Sequence, residues 1–225
     1  MTGKYLPGFT ALVALALAAV FSAVPLSSAS AHPHVWIDMT TALQFDDKGR
    51  IAAIEIRWTF DEFYSAFAVE DAQKKNGTYD EALLAGLTSV NLENLAEYNY
   101  FLEVIADGTP VKTGEARDGK STWDDTAGRL TLAFTVPLAE PRLATAASPV
   151  KFRVYDPSYY ISIDYVKDDP IRLTGGPHDG CTLTTEVPNA ENVWTSLPET
   201  AFTSATSQLG AYFATTASLT CAPRT

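Results

Sequence analysis

The alternation of residues 34–45 constrains this chain more than any other feature. Val35, Ile37 and Met39 fall on one side of an extended strand, and His34, Trp36 and Asp38 fall on the other, because successive side chains of a strand point to opposite faces. Asp46-Asp47-Lys48-Gly49 follows as a turn, and residues 51–58 read as a returning strand, so the segment predicts a β-hairpin with one apolar face. Thr59-Phe60-Asp61-Glu62 then has the capping-box pattern, Thr59 as N-cap and Glu62 three residues on, which predicts a helix through Phe63, Tyr64 and Phe67. Lys74-Lys75-Asn76-Gly77 breaks that helix. A second begins near Tyr79 and carries Leu83, Leu84, Leu87, Val90 and Leu95 on one side.

Strand signals dominate afterwards. Residues 100–106, 109–116, 129–136, 150–155 and 160–166 are apolar or alternating runs separated by Gly, Pro, Asp and Asn. A short strand over 182–187 and short helices near 191–197 and 207–213 complete the pattern. The fold class this predicts is α+β: a mainly antiparallel β domain, sandwich-like with two packed sheets, and a helical pair inserted after the first hairpin.

Residues 1–31 read as a secretion signal that precedes this domain. Lys4 supplies the positive charge, residues 9–24 are apolar except for Thr10 and Ser22, and Ala29-Ser30-Ala31 is a small-x-small cleavage site. The rival reading, a retained anchor, needs about 20 apolar residues, and this run is shorter. Cleavage predicts a single exported domain over 32–225 that begins His32-Pro33-His34. Loss of Lys4, the leader's only charge, takes the net charge of −11 one unit lower, and an acidic chain argues against nucleic acid or anionic lipid as partner. In an oxidising compartment such as the periplasm the two cysteines, Cys181 and Cys221, read as a disulfide that pins the C-terminal segment. A pair of metal-binding thiolates is the alternative, although the spacing matches no zinc motif.

Cleavage before His32 would give that residue both an α-amine and an imidazole. His34 lies on the same strand face as Asp38 and adds a second imidazole. Two imidazoles and an amine suit zinc, copper or nickel rather than calcium or magnesium. Pro33 has no amide proton, so a square-planar site built on deprotonated backbone amides cannot form; a brace completed from elsewhere in the fold remains. The plainer reading is a pair of solvated histidines at a frayed end.

Four weaker candidate ligands accompany the pair: Asp38, Asp61, Glu62 and His178. His178, the third of the chain's 3 histidines, sits in a glycine-rich loop before Cys181 and reads equally as a turn residue or as a distant ligand. Asp61 and Glu62 are carboxylates that the helix start already explains. Asp156-Pro157-Ser158-Tyr159-Tyr160 reads as a turn and strand whose aromatics, like Trp58, either wall a site or pack the core. No nucleophile elbow, phosphate-binding glycine loop or His-Glu-x-x-His pair is present in the sequence. The expectation is therefore a non-enzymatic protein with no catalytic residues, a copper-brace oxidase being the enzymatic alternative.

Three blocks carry a resemblance: Ala31-His32-Pro33-His34-Val35-Trp36, Arg57-Trp58-Thr59-Phe60-Asp61-Glu62-Phe63-Tyr64-Ser65 and Tyr155-Asp156-Pro157-Ser158-Tyr159-Tyr160. In that order they resemble a family of exported bacterial proteins of unknown function that look like the zinc-associated periplasmic protein ZevA. The resemblance covers most of the mature chain, and Gly180-Cys181 and Cys221 also fit. Such proteins are typically encoded beside a polytopic permease of the NicO or ZevB type. The resemblance implies handling of a divalent metal, zinc first and nickel, cobalt or copper after it, together with that inner-membrane permease. A non-metallic module that docks on the permease and regulates it is the alternative. The family's histidine block falls on His32 and His34. Its calcium-loop-like insertion does not carry over, because Lys74 and Lys75 stand where carboxylates would be needed.

Overall fold

The hairpin forms where the alternation predicts it. In the computed structural model, which describes residues 33–74, 77–198, 200–203 and 208–223, β1 (Val35–Phe45) pairs antiparallel with β2 (Ile51–Phe60), Ile37 facing Phe60 and Leu43 facing Ile54. Val35, Ile37, Met39, Leu43, Ile54, Ile56 and Trp58 are buried, while His34, Trp36 and Asp38 are exposed. The turn is held by Asp46, whose carboxylate accepts from the backbone N–H groups of Lys48 (3.0 Å) and Arg50 (2.8 Å) and from Arg50 Nε (2.8 Å).

Two helices follow β2, α1 (Glu62–Ala68) and α2 (Glu81–Ala96). The N-cap of α1 is Asp61, accepting from the N–H groups of Phe63 and Tyr64 at 2.9 Å each. Thr59, expected to cap, instead stays in β2, its hydroxyl 2.9 Å from that of Thr131 on the neighbouring strand. β2 thus runs through Phe60, and the carboxylate replaces the threonine hydroxyl as acceptor. On α2, Leu84, Leu87, Leu92 and Leu95 pack against the core. Val90 does not; it is exposed, on the opposite side from the stripe expected of it.

The remaining strands are β3 (Leu102–Ala106), β4 (Thr109–Pro110), β5 (Arg117–Asp124), β6 (Arg129–Arg142), β7 (Val150–Val154), β8 (Ile161–Tyr165), β9 (Ile171–Gly175), β10 (Cys181–Glu186) and β11 (Thr216–Cys221). Three short helices, α3 (Ala190–Ser196), α4 (Thr200–Thr203) and α5 (Leu209–Phe213), lie between the last two strands. One sheet runs β5-β6-β2-β1-β8, with β9 also on β1; the other runs β10-β11-β7-β3-β4. A single hydrophobic cluster draws buried residues from both, Trp58, Phe134 and Leu43 from the first, Phe152, Val104 and Leu219 from the second. The architecture is the expected α+β, sandwich-like one.

The pairing is not antiparallel throughout. Both β8 and β9 lie parallel to β1, β8 on its first half (Val35 facing Ile161) and β9 on its second (Thr41 facing Ile171). Gly175 and Gly176 end this edge. A Cβ on Gly175 would stand 2.6 Å from the Phe45 carbonyl oxygen and one on Gly176 1.9 Å from that of Asp46, so only glycine allows the chain to approach so closely. The strand expected over 109–116 shrinks to Thr109–Pro110, with an isolated bridge from Thr113 to Leu138.

Before β3 the backbone takes an unusual course. Asn99, Tyr100 and Phe101 are three successive non-glycine residues in the left-handed region, with φ of 53°, 55° and 57°. Left-handed geometry costs an L-residue roughly 1–2 kcal/mol, and local bonds hold it here. Asn99 Nδ2 donates to the Leu102 carbonyl, the Thr113 hydroxyl donates to Asn99 Oδ1, and the Tyr100 hydroxyl accepts from Ala116 N–H at 3.0 Å.

The disulfide joins Cys181 and Cys221, which face one another across the β10–β11 pair. It ties the edge strand β10 to β11, which in turn pairs with β7. Among the described residues no helix is long and apolar enough to cross a membrane.

Candidate functional site

His32 lies outside the described residues; Pro33 and His34 lie within them. His34 stands immediately before β1, its N–H donating to the Tyr160 carbonyl (2.8 Å) and its ring centroid 4.8 Å from that of Tyr160. Trp36, two residues on, is exposed on the same face, and its backbone is bound on its other side by Asp61. Asp61 N–H donates to the Trp36 carbonyl at 2.8 Å, and Trp36 N–H donates to the Asp61 carboxylate at 2.9 Å. One carboxylate therefore caps α1 and locks the helix start to β1. With Trp36, Phe63 and Tyr64 N–H groups all donating to it, Asp61 acts as a structural acceptor. Glu62 is exposed in the first turn of α1, where a carboxylate complements the helix dipole.

Asp38 is drawn elsewhere. Arg129 donates to it from Nη1 at 2.7 Å, and the same guanidinium donates to the carbonyls of Phe60 (2.6 Å) and Thr59 (3.0 Å). Across the parallel pairing Asp38 faces Asp164, which accepts from Ser162 Oγ at 2.8 Å. His178 sits at the far end of the strand. Its Nδ1 is 2.8 Å from the Gly176 carbonyl oxygen and its ring packs 5.4 Å from Phe45. His34 precedes the first residue of β1 and His178 packs on the last, so 11 residues of strand lie between them, roughly 35 Å at about 3.3 Å per residue. One ion cannot bind both. Among the described residues no group of three or more His, Cys, Asp or Glu side chains comes together as a metal cluster.

The turn after β7 splits its two tyrosines between the roles that the sequence leaves open. Tyr159 (φ 59°) stacks on Phe213 at 4.2 Å, and burial raises its hydroxyl above the usual tyrosine range, Ser162 lowering it and Asp164 raising it by smaller amounts. Tyr160 turns outward beside His34. Trp58 belongs wholly to the core.

Tyr160 also helps line a cavity of about 440 Å³, together with Tyr98, Phe101, Asp156, Pro157 and Ser158. Asp156 is only 6% exposed. Its carboxylate accepts from Ser158 N–H (2.9 Å), from Ser158 Oγ (2.8 and 2.9 Å) and from Ile161 N–H (3.0 Å). Nothing in the local sequence announces Tyr98 or Phe101 as lining a cavity, because the left-handed turn that presents them has no glycine to mark it.

Over residues 17–221 the chain matches the family described as protein of unknown function (DUF1007), and it belongs to that family. A search of curated proteins finds no match to it.

Proposed function

We propose that the mature chain is an exported divalent-metal-binding accessory protein, zinc its leading cargo, that works with a NicO- or ZevB-type membrane permease. The single observation that carries this reading is the placement of the first histidines. The small-x-small sequence Ala29-Ser30-Ala31 directly precedes His32, and His34 is exposed where β1 begins, steadied by the Tyr160 carbonyl and ring. An α-amine and two imidazoles form a three-nitrogen set suited to zinc, nickel, cobalt or copper. Asp38 and Asp61 are committed to Arg129 and to the start of α1, so the set stays short of four ligands. A zinc site with an open position can exchange its ion with a partner, as delivery to a permease requires. The ZevA-like resemblance of the three sequence blocks supports the same reading, and the disulfide is compatible with an exported protein.

Calorimetric titration of the correctly cleaved protein with zinc, beside a variant carrying one extra residue before His32, tests the site. The extension abolishes the amine–imidazole chelate, so affinity is expected to fall at least about tenfold, roughly 1.4 kcal/mol. Unchanged affinity sinks the proposal. Free imidazoles and α-amines take up protons between about pH 8 and pH 5, so affinity for the cleaved chain should also fall steeply across that window. A site made of carboxylates alone would give a flat profile down to about pH 5.

A second reading has its own observation. Trp36, Phe63 and Phe67 are large, exposed aromatics on β1 and α1, which suits a non-metallic module that docks on the permease. Capture of the permease at full strength in chelator would favour it over the metal reading.

A further inference from the structure

The cavity beside Tyr160 shares that residue with the histidine site, but its other lining residues have chemistry that the histidine site does not use. We propose that it binds a small organic cation, an alkylated ammonium ion. Three aromatic rings line it, those of Tyr98, Phe101 and Tyr160, with the first two centroids 5.9 Å apart. Aromatic rings attract a cation through their electron-rich faces, most strongly where water is displaced. Asp156 is the one charged residue of the lining, and no Lys, Arg or His shares the cavity among the described residues. Among the described residues its oxygens accept only from the neutral donors Ser158 and Ile161, so no counter-ion within the lining cancels the field of this buried carboxylate. The chain as a whole is acidic, with a net charge of −11, which draws cations toward any such site.

Size and backbone point the same way. A cavity of about 440 Å³ falls within the small-molecule range of roughly 300–1,000 Å³ and is too small for a helix or a folded partner. The lining residue Phe101 is in the left-handed region together with its neighbours Asn99 and Tyr100, and so is Tyr159, which lies between the lining residues Ser158 and Tyr160. Backbone strain of this kind persists only where the surroundings over-determine it, and it gathers at ligand clamps.

The test uses the mature chain in chelator, so that metal held at the histidines does not enter the outcome. Choline and its neutral isostere 3,3-dimethylbutan-1-ol are titrated by calorimetry. The expected result is tighter binding of choline by about tenfold or more, a loss of about that size in Tyr98→Leu, and retention in Tyr98→Phe. Tyr98 is 60% exposed, so neither variant opens the core. Equal affinity for the two ligands, no binding of either, or an unaffected Tyr98→Leu would each overturn the proposal. Tighter binding of a lysine-containing tetrapeptide than of choline would also overturn it, in favour of a side chain from a protein partner.

Discussion

Aspartates carry much of the local specification in this chain, and each does so through backbone N–H groups. Asp46 and Asp124 close the β1–β2 and β5–β6 turns. The Asp46 carboxyl is held below its ordinary value first by the Arg50 N–H, against a smaller cost of burial, and that of Asp124 first by the N–H of Ala127, then that of Thr126. A carboxylate with a depressed folded value adds stability that is fully present above the unfolded value and is lost as pH falls through the folded one. Thermal melts should therefore drop as pH falls below about 4, and Asp46→Asn should flatten that part of the profile while lowering the melt at neutral pH. Asp61 separates its two readings in the same way. Asp61→Ala removes the cap of α1 and the bond to Trp36 and should cost about 1 kcal/mol, within about 0.5–2, by urea unfolding. Zinc affinity of the cleaved chain should be preserved, and a large loss would restore Asp61 as a ligand. From sequence, the acids after β2 are legible as a helix start, yet which residue caps is not. That choice depends on Thr59 pairing with Thr131, a partner seventy-odd positions away that no local pattern reveals. The ion pair of Asp38 with Arg129 was hidden for the same reason.

Among the elements, those with an apolar rhythm are legible and those without one are not. β1 alternates cleanly over its first half and β2 from Ile54 to Phe60, and both fall where expected. β5 reads Arg-Asp-Gly-Lys-Ser-Thr-Trp-Asp and is exposed along most of its length; as an edge strand it has little apolar periodicity to show. β11 alternates, but its buried side chains are Ala217, Leu219 and Cys221 against Thr and Ser, a rhythm muted by small residues. The parallel pairing of β8 and β9 leaves no local trace, because it rests on register with a distant strand. Gly119 on β5 marks where α2 comes closest. A Cβ there would stand 2.4 Å from Leu92 Cδ1 and 2.9 Å from Thr88 Cγ2. Gly119→Val should push α2 away and lower stability by about 1–3 kcal/mol, measured by chemical denaturation. A neutral result would mean that α2 is free to shift.

For the whole molecule the disulfide and the central strand set the behaviour. Cys181 and Cys221 close a separation of 40 residues that contains α3, α4 and α5. In the chain-entropy model a loop of this length constrains the unfolded state by about 3–4.7 kcal/mol. Replacing both cysteines by serine should lower stability by an amount of that order, and limited proteolysis should then cut first after residue 180. Equal protease resistance with and without the bond would show that the β10–β11 pairing suffices. The placement of β1 has a temporal consequence. It is the first strand of the domain, yet it sits inside its sheet with its parallel partners at Ile161–Tyr165 and Ile171–Gly175. A chain threaded through an export channel from its N-terminus delivers β1 long before those partners. One flank of the founding strand must then wait, its edge unsatisfied, until the last third of the polypeptide has crossed. Export of the chain as proposed would thereby order folding in time, and His34 at the head of β1 would come to rest against Tyr160 among its final events.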